Sequence, residues 1–164
     1  MESGESTAYV TGAALDFKRV LGGMLAQEPD RRVLAPEDLK VVSKAQPTPE
    51  QMEQMLFAWT IMRHVKSNAI VLCKDFQLLG AGAGQMNRVN SVHLALRQAG
   101  DKAEGCVLAS DAFFPFPDGP EMAIQGGVKA IIEPGGSTKD AEVIAVCDQY
   151  GIPLVFTGVR HFKH

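Results

Sequence analysis

The sequence has little that would suit a nucleic-acid or membrane partner. Its 16 lysines and arginines are outnumbered by 19 acidic residues, so the formal net charge is -3, and no long basic run could bind a polyanion. No stretch approaches the ~20 apolar residues that cross a bilayer, and the amino terminus has no basic segment followed by an apolar one. We therefore predict no nucleic-acid partner, no membrane partner and a cytoplasmic location.

Cysteine is scarce as well. The chain has three, Cys73, Cys106 and Cys147, at wide spacing inside apolar runs. An odd number in such contexts is typical of small buried side chains in a reducing compartment rather than of disulfides. Neither C-x-x-C nor H-x-E occurs, so the sequence lacks the zinc ligands and the acid-base glutamate of a zinc deaminase. We predict no zinc.

The composition is otherwise that of a globular protein. Of the 164 residues, 46% are hydrophobic and 21% are charged, without charge blocks or low-complexity tracts. A chain of this length can bury a substantial core as one domain. Residues 1–12 are small and polar without periodicity, so we predict a flexible arm there and a single domain over residues 13–164.

Two segments before residue 63 carry local signals for secondary structure. Residues 15–27 place apolar runs on either side of Gly22 and Gly23, whose access to positive φ predicts a hairpin or a bulged strand. The sequence TPEQ at 48–51 has the hydroxyl, proline and glutamine of a capping box that opens a helix. Apolar residues then recur at helical spacing, as is typical of a core-facing helix: Met52, Met55, Leu56, Trp59 and Met62.

From residue 68 onward, strand patterns alternate with helix patterns. Apolar strand-like runs cover 68–74, 106–110, 128–132 and 153–157, and 77–84 continues the first as a partner strand or a glycine-rich turn. Spacing and caps predict helices over 88–99, from Asp118 to Gly126 and from Ser137 to Tyr150. This alternation predicts an α/β fold with a mostly parallel sheet covered on both faces and the early hairpin as an antiparallel addition.

Four local motifs stand out against this background. Residues 64–68 (HVKSN) are mostly polar and lie at a predicted helix end, where they either contact a ligand or cap the helix. Residues 80–88 (GAGAGQMNR) let a ligand approach the backbone and place Arg88 where a phosphate would bind, or serve tight strand packing. This run is neither a Walker loop nor a G-x-G-x-x-G fingerprint. The aromatic residues of 110–118 (SDAFFPFPD) either form a wall for a flat ligand ring or fill the edge of the core. Residues 157–164 (TGVRHFKH) follow the last strand and form either an anion site or a solvated tail.

One ordered set of motifs resembles the AICAR formyltransferase family: KSNAIVLCKD, GAGAGQMNRV, ASDAFFPFPDG, PGGS at 134–137 and FTGVRHFKH. The resemblance runs from about Leu15 to His164. It implies a purine-biosynthesis enzyme that transfers a formyl group from 10-formyltetrahydrofolate to the 5-amino group of AICAR, a precursor carrying a ribose phosphate. It also implies a cytidine-deaminase-like, three-layer fold and a site assembled across a dimer.

The resemblance also implies roles for individual residues. Asn68 matches an asparagine near the reacting amine, and Arg88 and Arg160 match arginines associated with nucleotide binding. Phe113 matches a residue of the ring pocket. Four positions correspond to the folate site: Val89, Pro115, Phe116 and Asp118. For Asp118, helix capping is a competing role, since aspartate is a favoured N-cap residue.

A monovalent cation, potassium in particular, is a further implication of the resemblance. Ser67 and Asp111 lie where the family can hold such an ion, but Ala69 replaces a polar residue that some members have. From the residues alone, Asp111 is expected to fasten its loop rather than to touch substrate.

The family's reacting centre does not occur here in its usual form. That centre is a Lys-His pair in a K-H-x-[NS]-P-x-G motif, whereas the Lys-His pair of this sequence, Lys163-His164, has no proline-glycine context. Formyl transfer needs a proton removed from a weak amine nucleophile and an oxyanion stabilised at the formyl carbon. We therefore expect the carboxy-terminal half of a formyltransferase domain, active beside a chain that carries the other half, as a homodimer or a complex.

Two other interpretations stay open. The chain could be a non-catalytic module that binds an AICAR-like nucleotide or a folate, or a structural descendant that dimerises through exposed apolar faces. Binding of ligand by the first, and its absence in the second, separates them.

Overall fold

The computed structural model describes residues 15–163, apart from the side chain of Pro36. The chain divides into two compact units, one up to Val33 and one from Leu34 onward. The flexible arm predicted for residues 1–12 lies outside the described residues. The single domain predicted for 13–164 stays a prediction.

The first unit contains a two-stranded antiparallel hairpin. Strand β1 (Asp16–Val20) pairs with strand β2 (Gly23–Gln27), and Val20 lies opposite Gly23. Gly22, the second residue of the two-residue turn, has φ +83°, a value that residues with a side chain rarely adopt. A hairpin is present at the predicted residues, but its strands form a two-stranded sheet of their own and are not the predicted antiparallel addition to the larger sheet. All residues of both strands are exposed.

The second unit is built on a six-stranded sheet. The strands are β3 (Lys40–Val41), β4 (Ile70–Lys74), β5 (Gln77–Gly82), β6 (Val107–Ser110), β7 (Ala130–Glu133) and β8 (Leu154–Phe156). Their order across the sheet is β3-β8-β7-β6-β4-β5. The α/β class is confirmed, and of the predicted range 77–84, residues Gln77–Gly82 form the partner strand of β4.

The prediction of a mostly parallel sheet is wrong, because the sheet is mixed. Strand β7 runs parallel to β6 and β8, whereas β4 is antiparallel to both of its neighbours and β3 is antiparallel to β8. The cause is a tight turn at Asp75 and Phe76, both with positive φ, which folds β5 back along β4. The following helix then returns the chain to the far side of β4, so the helical crossover joins β5 to β6 with β4 between them.

Four helices cover the sheet: α1 (Pro49–Met62), α2 (Arg88–Ala99), α3 (Asp118–Gln125) and α4 (Asp140–Tyr150). Helix α1 packs on one face through Met55 and Trp59, and the other three pack on the opposite face. The second unit therefore has three layers. The capping box at Thr48 is confirmed, with its hydroxyl accepting from Gln51 N–H and the Gln51 side chain accepting from Thr48 N–H.

Helix α4 begins later than predicted. Its first residue is Asp140, and Ser137 lies in the preceding turn, where its hydroxyl accepts from Lys139 N–H. The Asp140 carboxylate accepts from Gly136 N–H and Ser137 N–H, which fixes this turn from the helix side. Among the described residues, no helix has the length and apolarity needed to cross a membrane.

Candidate functional site

A cavity of about 350 Å³ opens where four segments of the second unit meet. These are the segment just before β4, which contributes Asn68, the amino terminus of α2, the loop after β6 and the segment after β8. Its lining residues are Asn68, Met86, Asn87, Arg88, Ala112, Phe113, Pro115, Arg160 and Phe162. The four motifs singled out in the sequence therefore contribute to one cavity.

Arg88 lies at the first position of α2 with only 7% of its surface exposed. Its Nη1 donates to the Asp111 carboxylate, to Ser110 Oγ at 2.9 Å and to Ala69 O at 3.4 Å. Asp111 is fully buried, so each member of this ion pair compensates a charge that would be costly alone in the interior. Arg88 thus reaches the cavity with its positive charge already balanced.

The Asn68 side chain is held at the cavity floor from both ends of its amide. Its Oδ1 accepts from Arg88 Nη2 at 3.1 Å, and its Nδ2 donates to Gln85 O at 2.8 Å. The Asn68 backbone carbonyl accepts from Ser91 Oγ at 2.9 Å. An amide has two donor hydrogens and two acceptor lone pairs, so Asn68 keeps one of each for a ligand.

Ser67 and Asp111 lie beside the cavity and do not line it. Ser67 Oγ donates to Asp111 Oδ2 at 2.5 Å and accepts from Lys163 N–H at 3.0 Å, while Ser67 N–H donates to Lys163 O at 2.8 Å. His161 N–H donates to Asp111 O at 3.1 Å. Asp111 therefore fastens the last described segment to the start of β4, as the residues alone led us to expect.

The fit to a monovalent cation at Ser67 and Asp111 is poor. One carboxylate oxygen of Asp111 accepts from Arg88 and the other from Ser67, so a cation there would displace both and lie next to a guanidinium. Over residues 15–163, no group of three or more His, Cys, Asp or Glu side chains could hold a metal ion.

Arg160 lies at the cavity with an exposed side chain. Its guanidinium carbon lies 5.5 Å from the centroid of the Phe162 ring, which is a cation-π distance. In the part of the chain that the structure describes, no carboxylate lies within 4.0 Å of it. Among residues 15–163, Arg160 is therefore the one of the two predicted nucleotide-binding arginines that has no carboxylate partner.

The loop after β6 contributes an aromatic wall. Phe113 and Pro115 line the cavity, whereas the Phe114 ring is 1% exposed and packs into the core. Phe116 is 58% exposed and does not line the cavity. The loop therefore combines both of the roles considered from its sequence, since one phenylalanine plugs the core and another faces the cavity.

The remaining predicted folate residues, Val89 and Asp118, also lie outside the lining. Val89 is half-buried in the first turn of α2, next to Arg88. Asp118 is exposed as the first residue of α3, and its carboxylate accepts from Gly119 N–H at 2.8 Å. The N-cap position belongs to Pro117, so the capping role predicted for Asp118 is wrong.

The glycines of β5 serve packing rather than ligand approach. A Cβ on Gly82 would lie 1.9 Å from Ser91 O, and one on Gly80 would lie 2.1 Å from Ala95 O. Helix α2 therefore lies directly against the β5 backbone at these two points. This contact fixes the amino terminus of α2, and with it Arg88, over the cavity.

Four lining residues were not predicted from the sequence: Met86, Asn87, Ala112 and Phe162. Asn87 caps α2, with its Oδ1 accepting from Asn90 N–H at 2.9 Å. Phe162 follows Arg160 by two residues in the terminal motif, so the position of an aromatic residue next to that arginine was the available signal.

Glu133 is a buried carboxyl group that sequence reasoning missed. It ends β7, has no exposed surface, and accepts from Phe114 N–H through Oε2 at 2.8 Å. Burial raises the pKa of this carboxyl to about 8, while the Phe114 hydrogen bond opposes the rise. The signal in the sequence was an acidic residue closing an otherwise apolar strand, AIIE.

Two solved structures show a weak likeness to this chain. They are two forms of Acinetobacter baumannii RibD, with TM-scores of 0.44 and 0.43 and sequence identities of 21% and 22%. The similarity covers 65% and 63% of this chain and 34% and 33% of the RibD chains. TM-scores below 0.5 assign no fold, so the cytidine-deaminase-like fold stays a prediction.

Sequence comparison gives a much closer relationship. Bifunctional purine biosynthesis protein PurH of Oceanobacillus iheyensis is 57% identical over 87% of this chain, and that of a Cyanothece species is 54% identical over 93%. The matched region spans only 28% and 30% of those two proteins. Residues 3–98 also match the family described as AICARFT/IMPCHase bienzyme. With more than half its length inside that match and identities above 50% to PurH proteins, the chain belongs to the AICARFT/IMPCHase bienzyme family of purine biosynthesis.

Proposed function

We propose that this chain is the carboxy-terminal half of an AICAR formyltransferase domain and supplies nucleotide and folate contacts for formyl transfer from 10-formyltetrahydrofolate to AICAR. The observation that carries the proposal is the single cavity lined by Asn68, Arg88, Phe113 and Arg160. A phosphorylated, flat, hydrogen-bonding ligand needs a cation, an aromatic wall and fixed polar groups, and these residues supply all three.

In this proposal the charge of the ribose phosphate pairs with Arg160. Arg88 is already neutralised by Asp111, whereas the exposed Arg160 guanidinium keeps its full charge for an anion. The Phe113 and Phe162 rings line the same cavity and offer apolar surface to the imidazole ring. Arg88 acts mainly as a fixed donor that orients Asn68 through Nη2.

Asn68 is the residue that we expect to meet the reacting amine. Its amide is held by Arg88 and Gln85 O, so its remaining donor and acceptor have fixed directions at the cavity floor. A group fixed before the ligand arrives loses little entropy when it orients the amine for attack on the formyl carbon. Asn68 has no free base function, so the proton must leave through another group.

The folate contacts are proposed at the rim of the cavity. Pro115 lines it, and the exposed Phe116 follows in the same loop. The exposed Asp118 begins α3, and Val89 lies in the first turn of α2. An exposed aromatic ring and carboxylate suit a pterin, which has a flat face and amide-like donors. The cation implied by the family resemblance has no part in this proposal, because the oxygens of Asp111 accept from Arg88 and Ser67.

Acid-base chemistry has to come from a segment with the K-H-x-[NS]-P-x-G motif, which residues 1–164 do not contain. The amine attacks the formyl carbon and loses its proton to a base. The tetrahedral intermediate then collapses with cleavage of the bond between the formyl carbon and the folate nitrogen, and that nitrogen takes up a proton as tetrahydrofolate leaves. Removing the principal acid-base group typically slows such a step by ~10²- to 10⁴-fold. We therefore expect transfer only when that segment is joined to this chain, on the same polypeptide or on another.

A dimer is part of the proposal, and so is a cytoplasmic location. The hairpin exposes several large apolar side chains, including Phe17, Leu21 and Leu25. A solvent-exposed apolar surface of this kind suits a contact with another protein chain. Cys73, Cys106 and Cys147 are free and buried, as in proteins of reducing compartments. Sedimentation velocity tests the dimer directly, and a monomer at micromolar concentration contradicts it.

Calorimetry with AICAR tests the nucleotide site. We expect the wild type to bind AICAR and Arg160→Ala to lose at least about tenfold in affinity, because an arginine–phosphate pair is worth more than ~1.4 kcal/mol. The control Arg97→Ala changes an exposed arginine in the last turn of α2 and should leave the affinity unchanged. Equal affinity in Arg160→Ala and Arg97→Ala contradicts the phosphate assignment.

A transfer assay tests the enzyme role. The chain is mixed with one that carries the K-H-x-[NS]-P-x-G segment, and formation of tetrahydrofolate from 10-formyltetrahydrofolate is followed with AICAR as acceptor. We expect activity in the mixture and none with either chain alone. AICAR binding without transfer in a folded mixture favours the second candidate, a non-catalytic nucleotide-binding module.

A further inference from the structure

The loop that forms the aromatic wall is held by one side chain that does not touch the cavity. Phe114 N–H donates to Glu133 Oε2 at 2.8 Å, and Glu133 has no exposed surface. Its other oxygen, Oε1, is buried without a hydrogen-bond partner among the described residues. A carboxyl group with one unsatisfied buried oxygen is costly, so its place beneath this loop calls for a role beyond filling space.

Phe114 is the fixed point of the loop. Its ring is buried against the first turn of α3, where a Cβ on Gly119 would lie 2.7 Å from Phe114 Cδ1. Its neighbours on either side, Phe113 and Pro115, both line the cavity. A shift of the Phe114 backbone therefore moves both wall residues together.

Few other contacts could hold this backbone. The strand end is fixed up to Ala112, whose carbonyl accepts from Ser110 Oγ at 2.7 Å, and helical bonding resumes at Pro117 O, which accepts from Glu121 N–H. Within the described part of the chain, the Phe114 N–H to Glu133 bond is the one hydrogen bond that residues 113–116 make. The wall thus depends on a single polar anchor and one buried ring.

We propose that Glu133 is a positioning residue, whose buried carboxyl group holds Phe114 N–H and so fixes Phe113 and Pro115 as the wall against which a flat ligand ring packs. For the identity of that ligand the proposal rests on the proposed function. For the role of Glu133 it rests on the contacts of the loop alone.

The protonation state of Glu133 supplies an independent signal. Burial raises its pKa to about 8, the Phe114 hydrogen bond and Arg88 of α2 lower it, and Asp140 at the start of α4 raises it; Cys147 of α4 is also close enough to interact. The carboxyl is therefore mainly neutral at pH 7, half ionised near pH 8 and mainly ionised at higher pH. When the charge on the accepting carboxyl group changes, the chemical shift of the Phe114 N–H must change with it.

Amide NMR on the ¹⁵N-labelled chain tests the anchor without any ligand. We expect the Phe114 amide signal of the wild type to titrate with a midpoint near pH 8 and that of Glu133→Gln to stay constant, because glutamine keeps the acceptor and loses the ionisation. Glu133→Leu should shift or broaden the amides of residues 113–116. The control Ile132→Val, a buried change on the other face of the same strand, should leave them in place.

AICAR calorimetry on the same proteins tests the consequence for binding. A wall displaced by about 1 Å can cost up to ~10²-fold, so we expect at least a tenfold loss in Glu133→Leu and changes below about threefold in Glu133→Gln and Ile132→Val. Loop amides that are unchanged in Glu133→Leu overturn the proposal, and so does a Phe114 amide that titrates identically in Glu133→Gln. If Glu133→Leu does not fold, the titration of wild type against Glu133→Gln still decides. If no variant binds AICAR while the amides behave as expected, the proposed function fails and the anchoring role stands.

Discussion

The Arg88 guanidinium and the Asp111 carboxylate form an ion pair in the interior, with side chains 6% and 0% exposed, on the inner side of the cavity. They come from the start of α2 and the residue after β6, so the pair joins the two strand ends that flank β4. Its chemistry resembles a structural ion pair more than a site that awaits a phosphate. This distinction leads to a prediction about stability.

Removing Asp111 should destabilise the chain strongly. Asp111→Asn leaves the Arg88 charge buried without a counterion, and such losses cost about 3–5 kcal/mol of the free energy of unfolding. The matched control is Glu142→Gln, which removes an exposed ion pair with Lys139 and should cost less than ~1 kcal/mol. Urea unfolding measures both. The double variant Asp111→Asn with Arg88→Met should regain part of the lost free energy of unfolding. Equal losses in Asp111→Asn and in the control Glu142→Gln would show that the Arg88–Asp111 pair is not effectively buried.

Glu133 should make stability depend on pH. Its pKa is about 8 in the folded chain and near 4.5 in the unfolded chain, so below pH 4.5 both states hold the proton. Between pH 4.5 and 8 only the unfolded state releases it, so the free energy of unfolding falls by roughly 1 kcal/mol per pH unit and levels off above pH 8. The difference in stability between wild type and Glu133→Gln, measured by urea unfolding across this range, should change with that slope. A difference independent of pH contradicts the raised pKa.

The close approach of α2 to β5 predicts that Gly82 tolerates no side chain. Gly82→Ala would place a Cβ 1.9 Å from Ser91 O, a backbone atom, so strand and helix must separate, at a cost of about 1–3 kcal/mol or more. Gly23→Ala is the control, because nothing lies within 4 Å of its Cβ position and its φ is not positive. Thermal unfolding should show a clear loss of Tm for Gly82→Ala alone. A similar Tm for both variants would mean that α2 can move freely.

The three cysteines should be inert in the native chain. Burial raises the pKa of Cys73, Cys106 and Cys147 to about 12, so almost no thiolate exists near neutral pH. A thiol reagent at pH 7.5 should label none of them within minutes, and all three after denaturation in urea. Rapid labelling of any one in the folded chain would contradict its burial.

The sequence was informative where the determinants are local. The capping box at Thr48, the Gly22 turn and the strand-helix alternation depend on neighbouring residues, and each appears in the structure. Sheet direction was mispredicted because the turn that reverses β5 is made by Asp75 and Phe76, which carry positive φ without a glycine to signal it.

Long-range compensation was beyond the sequence for a physical reason. Arg88 has the residue type and helix position of a phosphate ligand, and only the fold places Asp111 beside it, 23 residues away. The same holds for Glu133, whose significance arises from a loop 19 residues earlier. The four motifs contain all the residues that line the cavity, but how charge is divided among their side chains depends on burial, which no local pattern encodes.

The hydrogen bonds between Ser67 and Lys163 join residues that are 96 positions apart. The cavity is lined by Asn68, next to Ser67, and by Phe162, next to Lys163. This lining is therefore incomplete until β8 and the segment that follows it have packed onto the sheet. A ligand of the cavity would then bind only the fully folded unit and raise its melting temperature as the ligand concentration increases. Ligand binding would therefore report that folding of the unit is complete.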